Sequence, residues 1–440
     1  MKINPVTVKA LLTHAIAKCV QQKNKFVKRP GMDFSRNRAL PFEALLTLLL
    51  KFSGLSLQNE ISAYFVPPPG KKIPVPTKSA FIQQRKKLRT EVGSELFRTF
   101  SQSLKGSLTF KGYRLFAVDG SDVSIPRNGK ETDYSCNTGM NRKSFNMLHL
   151  NCLFDVLSRI FVDCIIDPGQ HSKEKQALAT MAGRLPEPEK SIIVADRGYE
   201  GFNCITHLLK CCVKFAVRAK DINSNGFLTT LHLPELDEFD VDIKKRLVFK
   251  IPKAQKGNPE YVKVDPHHFD HFESTKEYYE IAFRVVRVQL PNGTSECIVT
   301  NLSREEFSKE DLRDMYHLRW NIENAYRDLK YTMDLLHFHG KSADAVILEV
   351  YFCLTFFNYC AYIAVHCNPF LHKESTKYRY KVNFANAVEA CRAFLHDCIS
   401  ETDLLDRLKL NPTPIRGNRS YPRPSRMKEQ SSREFNYRRS

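Results

Sequence analysis

From Tyr113 onward the sequence lays down three strand-like runs in succession, YRLFAVDGSDVSIP, FNMLHLNCLFDVLS and RIFVDCIIDPG, each rich in β-branched or aromatic residues and bounded by turn formers. A helix-patterned stretch (KEKQALATMAGRL), a strand (SIIVADRGY), a second helix (GFNCITHLLKCC) and another strand (KFAVRAK) follow. That order constrains the fold more than any other feature of the chain. It describes a mixed α/β sheet with helices packed on it.

The flanking patterns divide the 440 residues further. Residues 1–108 read as a helical amino-terminal region for DNA binding, broken by the proline-rich VPPPGKKIPVP. In TKSAFIQQRKKL, Thr77 is placed to cap a helix, and Arg85, Lys86 and Lys87 near its end suit either a DNA-contacting face or an ordinary solvated one. Residues 109–220 form the first part of the core. Strand-like segments KRLVFKI, YYEIAFRVVRVQL and ECIVTNLS make 221–308 a β-rich insertion, and helical patterning from Lys309 to Leu336 and again to His366 marks 309–370 as the second part of the core. A helical carboxy-terminal region (371–410) and a basic tail (411–440), with eight Lys or Arg against two Glu, complete the chain.

A formal net charge of +19 favours polyanionic partners, because each phosphate neutralised by Lys or Arg releases condensed counterions. With 42% hydrophobic and 11% aromatic residues, wholesale disorder is excluded. The first 25 residues alternate apolar and polar side chains and do not read as a secretory signal, so a cytosolic protein is expected. Thirteen cysteines with no C-x-x-C pair fit that compartment, and Cys353, Cys360 and Cys367, like Cys391 and Cys398, stand at heptad spacing suited to buried helix positions. Ala345 to Cys367 is long and apolar enough to imitate a membrane span. Glu349, Asn358 and His366 within it favour a helix buried in a large core, with no membrane partner.

Chemistry concentrates in YHLRWNIENAYRDLK. Tyr316, Arg319, Glu323 and Lys330 stand at offsets that place them on one narrow face of a helix, while Leu318, Ile322, Ala325, Leu329 and Met333 form a separate apolar stripe that anchors it. A carboxylate, a phenol and two cations so aligned suit a metal and a phosphate chain together, Glu323 as oxygen ligand and the others as phosphate clamps. A salt-bridged surface helix is the plain alternative, since Arg319 and Glu323 are an ordinary i,i+4 pair. Two more acids bear on the choice. Asp119 closes the apolar run LFAVDGS at Gly120, and Asp196 closes SIIVADRGY at Gly198, which puts each at or near a strand end, where α/β ligand sites collect. Three converging carboxylates repel unless they share divalent cations, and Asp, Asp and Glu suit Mg²⁺.

With these residues in place, the sequence resembles the bacterial insertion-sequence transposases of the DDE class, specifically the insertion-sequence-4 family, whose signature Tyr-x2-Arg-x3-Glu-x6-Lys is complete as Tyr316, Arg319, Glu323 and Lys330. The VDGS context of Asp119 and the ADRGY context of Asp196 resemble the family's first two acidic motifs. The resemblance spans roughly 110–220 and 296–367. It implies an RNase H-like catalytic core interrupted by a β-rich insertion, a catalytic and metal-binding triad of Asp119, Asp196 and Glu323, and phosphate contacts from Tyr316, Arg319 and Lys330. It further implies two Mg²⁺ ions, replaceable by Mn²⁺, that drive cleavage at element ends and strand transfer into target DNA. Double-stranded DNA as partner, a homodimer in the synaptic complex and a nucleoid-associated place in a bacterial cytoplasm follow from the same resemblance.

Other residues carry competing readings. Asp122, three beyond Asp119, is a rival ligand. Arg197 and Tyr199 suit DNA contact or packing, and HHFDH (His267, His268, Asp270, His271) reads as a polar loop without zinc spacing. Asn301 suits a cap, a DNA contact or turn chemistry. His337 and His339 receive no role. Trp320, the only tryptophan, lies inside the signature.

Overall fold

The computed structural model describes residues 4–36, 38–66, 74–104, 108–136, 144–169, 173–270, 278–289, 293–367 and 379–415. Five helices come first: α1 (Pro5–Gln21), α2 (Phe42–Leu50), α3 (Leu57–Tyr64), α4 (Lys78–Arg85) and α5 (Glu91–Ser103). Next are β1 (Arg114–Ile125), β2 (Ser135–Cys136), β3 (Phe145–Asp155) and β4 (Ile160–Pro168), then α6 (Glu174–Ala182), β5 (Ser191–Ala195), α7 (Phe202–Lys210) and β6 (Lys214–Ala219). Strands β7 (Phe239–Val248), β8 (Tyr261–Lys263), β9 (Tyr279–Gln289) and β10 (Ser295–Thr300) lead to α8 (Lys309–Leu318), α9 (Trp320–Arg327) and α10 (Ala343–His366). The last described elements are β11 (Arg379–Lys381), α11 (Phe384–Leu395), α12 (Glu401–Leu408) and β12 (Thr413–Ile415), with β11 and β12 paired.

One ten-stranded sheet organises the molecule, in the order β2-β3-β1-β5-β6-β10-β9-β7-β8 with β4 on the other side of β3. β1, β3 and β4 pair antiparallel, and β1, β5 and β6 pair parallel through the α6 and α7 crossovers. Strands β7–β10, expected as an insertion, do not stand apart: β10 pairs β6 antiparallel, so they extend the same sheet. Sequence pattern alone marks strands there; it carries no information on which edge they join.

The alternation along β1 shows why this strand needs two faces. Leu115 and Ala117 join a core shared with α1, α2, α5 and α8–α12, whereas Phe116 and Val118 join the core under α6 and α7. The amino-terminal helices therefore share their core with α10 and the sheet. α10 is long and apolar enough to cross a membrane, and 89% of its most apolar window is buried inside the fold. Its polar residues are satisfied there. Glu349 pairs with the equally buried Arg85, and Asn358 bridges the Phe161 backbone on β4 and Ser101 on α5. Thr77 caps α4 as expected, accepting from the Ala80 N–H at 3.2 Å, but the pairing with Glu349 removes Arg85 from any DNA-facing role.

Two expectations need correction. Gly120 does not end β1, which runs on to Ile125. The helix expected from Lys309 to Leu336 is segmented: a capping box of Ser308 and Asp311 starts α8, the backbone tightens at Arg319, and after α9 residues Asp328–Thr332 form a π-helical turn closed by the Met333 N–H on the Asp328 carbonyl at 3.0 Å. A π turn adds a residue to the helical repeat and so rotates everything beyond it. The basic tail lies almost wholly outside the described residues, as do His271 and most of the proline-rich break.

Candidate active site

Asp119 sits mid-strand on β1, Asp196 directly follows β5, and Glu323 projects from α9. The parallel pairing of β1 with β5 sets the first two side by side, and α9 lies against β1, where the Tyr326 hydroxyl donates to the Asp119 carbonyl at 2.9 Å. Arg319 is the pivot. Its Nη2 lies 2.7 Å from Glu323 Oε1 and its Nη1 3.9 Å from Asp119 Oδ2, so one buried guanidinium draws together carboxylates separated by two hundred residues.

These groups open onto a cavity of about 320 Å³ lined by Asp196, Arg197, Arg218, Tyr316, Arg319, Trp320 and Glu323. The Tyr316 ring is buried, with the Arg218 and Arg319 guanidinium carbons each 5.6 Å from its centre. Arg218, on β6, is anchored at 2.8 Å by Glu296. Sequence reasoning missed it, since an arginine within an apolar strand run gives no local signal; only the β5–β6 pairing carries it to the cavity. Arg197 lines the cavity, whereas Tyr199 beside it is a core residue, 1% exposed.

Lys330 behaves differently from the other three signature residues. Displaced by the π turn, it does not line the cavity, and its ammonium donates to the Asp122 carbonyl at 2.8 Å, while burial pulls it below the usual lysine range. Asp122 is separated from the cavity too: its carboxylate faces His149 Nδ1 at 2.8 Å. Burial disfavours a charged His149, yet Asp122 and Glu174 together overcome this and raise it to about 9. Asn301 has a structural task, accepting from the Phe215 N–H and donating to the Val213 carbonyl where β10 meets β6. His207 pairs with Asp270 at 3.0 Å in the polar loop, His337 with Asp334, and the His339 backbone N–H with Glu349.

Electrostatics single out Asp119. Burial raises its carboxyl, the Arg319 charge draws it back, and the negative Asp196 and Glu323 push it up again, leaving it at about 6. As they stand, no three histidine, cysteine or carboxylate side chains among the described residues converge closely enough to hold a metal ion. In donor chemistry the set nonetheless fits a hard divalent cation. Three carboxylates from three elements face one another closely enough to oppose ionisation of Asp119, a repulsion that such a cation relieves.

The Transposase DDE domain family model matches residues 110–359, a span that contains Asp119, Asp196, Glu323 and all four signature residues. No curated protein matches the sequence. Among solved structures, the chain is similar to one described as a piggyBac transposase synaptic complex with hairpin DNA, at 8% identity and a TM-score of 0.46, covering 92% of this chain and 81% of that one. Since the family model covers more than half of the sequence, the chain belongs to the Transposase DDE domain family.

Proposed function

We propose that the chain is a DNA transposase of the insertion-sequence-4 type, which cuts at the ends of its element to free 3′ hydroxyls and joins them to target DNA. The observation that carries this reading is the Arg319 bridge, at 2.7 Å from Glu323 and 3.9 Å from Asp119, with Asp196 close enough to oppose ionisation of Asp119. A surface salt bridge has no need of a third and fourth charge gathered around it. The antiparallel β4-β3-β1 group continued in parallel by β5 and β6 supports an RNase H-like core, with the insertion strands added at the β6 edge.

Asp119, Asp196 and Glu323 would hold divalent cations, Mg²⁺ in our reading with Mn²⁺ as substitute. Such ions activate the attacking water or hydroxyl and stabilise the leaving oxygen of an in-line phosphoryl displacement. The chain's own cations do the positioning. Arg319 sets one positive charge between two of the carboxylates, so that an incoming phosphate meets a site of reduced negative charge. Tyr316, wedged between Arg218 and Arg319, offers its phenol beside two guanidinium groups, an arrangement suited to clamp the phosphate that precedes the transferred end. Lys330, placed off the cavity beside Asp122, suits a phosphate farther along the strand. A homodimer on paired ends, acting at the nucleoid of a bacterial cytoplasm, completes the reading.

The test is cleavage and joining of a duplex carrying the ends of the DNA that encodes the chain, comparing native protein with Glu323→Gln. Native protein is expected to cut and join, and the variant to bind without reacting, with a loss of about three orders of magnitude. Cutting without a joined product would leave a structure-specific nuclease. Binding by both with reaction by neither would leave a DNA-binding relic of a transposase.

A further inference from the structure

This inference rests on the carboxylate centre proposed above and adds a member to it. A Cβ built on Gly120, the residue after Asp119, would lie 2.5 Å from His149 Nε2 and 2.7 Å from Glu174 Oε1. A Cβ built on Gly198, two residues after Asp196, would lie 3.0 Å from Asp196 Oδ1 and 4.0 Å from Glu174 Oε2. Glu174, in the first turn of α6, thus places one oxygen over Gly120, next to Asp119 in the chain, and turns the other toward Gly198, two residues after Asp196. Glycine is required at 120 because two side chains already occupy the place of a third.

His149 is fixed from behind. Its Nδ1 faces Asp122, its cross-strand neighbour, at 2.8 Å, and its Nε2 stands 3.1 Å from Glu174 Oε1. The residue is 7% exposed, and Nε2 makes no well-directed hydrogen bond. A buried imidazole is therefore held over Gly120 between two carboxylates, Asp122 behind it and Glu174 in front, so that it fixes where the Glu174 oxygen sits.

We propose that Glu174 is a fourth carboxylate of the catalytic centre, an oxygen ligand for a divalent cation beside Asp119 and Asp196, and that His149 and Asp122 are the positioning pair that sets its orientation. Hard cations of this kind take six or more oxygens, and partners behind a ligand govern how well it binds.

Trp320 is the only tryptophan and lines the cavity, so its fluorescence reports a paramagnetic cation bound there. The experiment titrates the full chain with Mn²⁺ alone and follows Trp320 quenching in the native protein and in Glu174→Gln, His149→Gln, His149→Phe and Asp119→Asn, with thermal unfolding of each as the folding control. Glu174→Gln is expected to weaken Mn²⁺ binding about tenfold or more. His149→Gln, which keeps a donor toward Glu174, is expected to stay near native, and His149→Phe to follow Glu174→Gln. The reverse order for the two His149 variants would mark a packing role and overturn the positioning claim. Native binding in Glu174→Gln with loss in Asp119→Asn would overturn the fourth carboxylate and spare the centre. Native binding in both, or no quench in the native chain, would overturn the centre and the inference together.

Discussion

Asp119 and Asp240 are both aspartates of the one sheet, both face arginines, and both are largely shielded from water, yet they are displaced in opposite directions. Asp240, on β7, takes a fork from Arg284 at 2.7 and 2.6 Å and a further bond from Arg304 at 3.0 Å. Burial alone would raise its carboxyl, but the bonds from Arg284 and Arg304 draw it down to about 2. Among the described residues Asp119 accepts only the Gly120 N–H at 2.9 Å, has its nearest guanidinium at 3.9 Å, shares that with Glu323, and is held at about 6. On β7 the Asp240 charge is fully answered, as a structural charge must be when buried. The first core strand carries one that is not. Under-satisfied charge of that kind belongs to a site that awaits a charged ligand.

The contrast predicts its own tests. Asp240→Asn leaves Arg284 buried with its counterion gone and is expected to destabilise the chain by about 3 kcal/mol, seen as a lowered denaturation midpoint. Asp119→Asn removes a repelled charge and is expected to leave stability unchanged or raise it at neutral pH. An equal loss in both variants would erase the distinction.

The pH dependence of unfolding separates the two more finely. In the folded chain Asp119 keeps its proton up to about 6, against 3.8 for an ordinary aspartate, so the folded state binds more protons in that window and stability falls as pH rises through it, by about 3 kcal/mol. Asp240 has the opposite sign: its contribution is complete above 3.8 and is lost as pH falls toward about 2, by about 2 kcal/mol. Comparing denaturant unfolding of the native chain with that of each variant across pH 2 to 7 isolates each effect. A native profile unchanged by Asp119→Asn between pH 4 and 6 would break the comparison.

Much of this was legible in the residues. The strands β1, β3, β4, β5 and β6 carry apolar runs such as LFAV in β1 and SIIVA in β5 because both faces are covered, and helix capping by Thr77 is a local hydrogen bond that sequence spacing reveals. The grouping of Tyr316, Arg319 and Glu323 was legible because the tightening at Arg319 between α8 and α9 still leaves all three lining one cavity. Lys330 was not, because it lies inside the π turn, where the α-helical wheel does not apply, and bonds the Asp122 carbonyl. Arg218 and His149 were invisible because strand pairing across the sheet, not sequence spacing, brings them in, and Glu174 because it arrives from α6. Gly120 was misread as a strand end, its true cause being the approach of side chains from β3 and α6.

The most direct test of the central claim is divalent-cation-dependent DNA cleavage by Asp119→Asn and Asp240→Asn, measured below both unfolding transitions and expressed per folded molecule. Loss of about three orders of magnitude in Asp119→Asn, with near-native cutting by Asp240→Asn, is the predicted result. Native cutting by Asp119→Asn would show that the incompletely neutralised carboxylate of β1 is not the reacting centre.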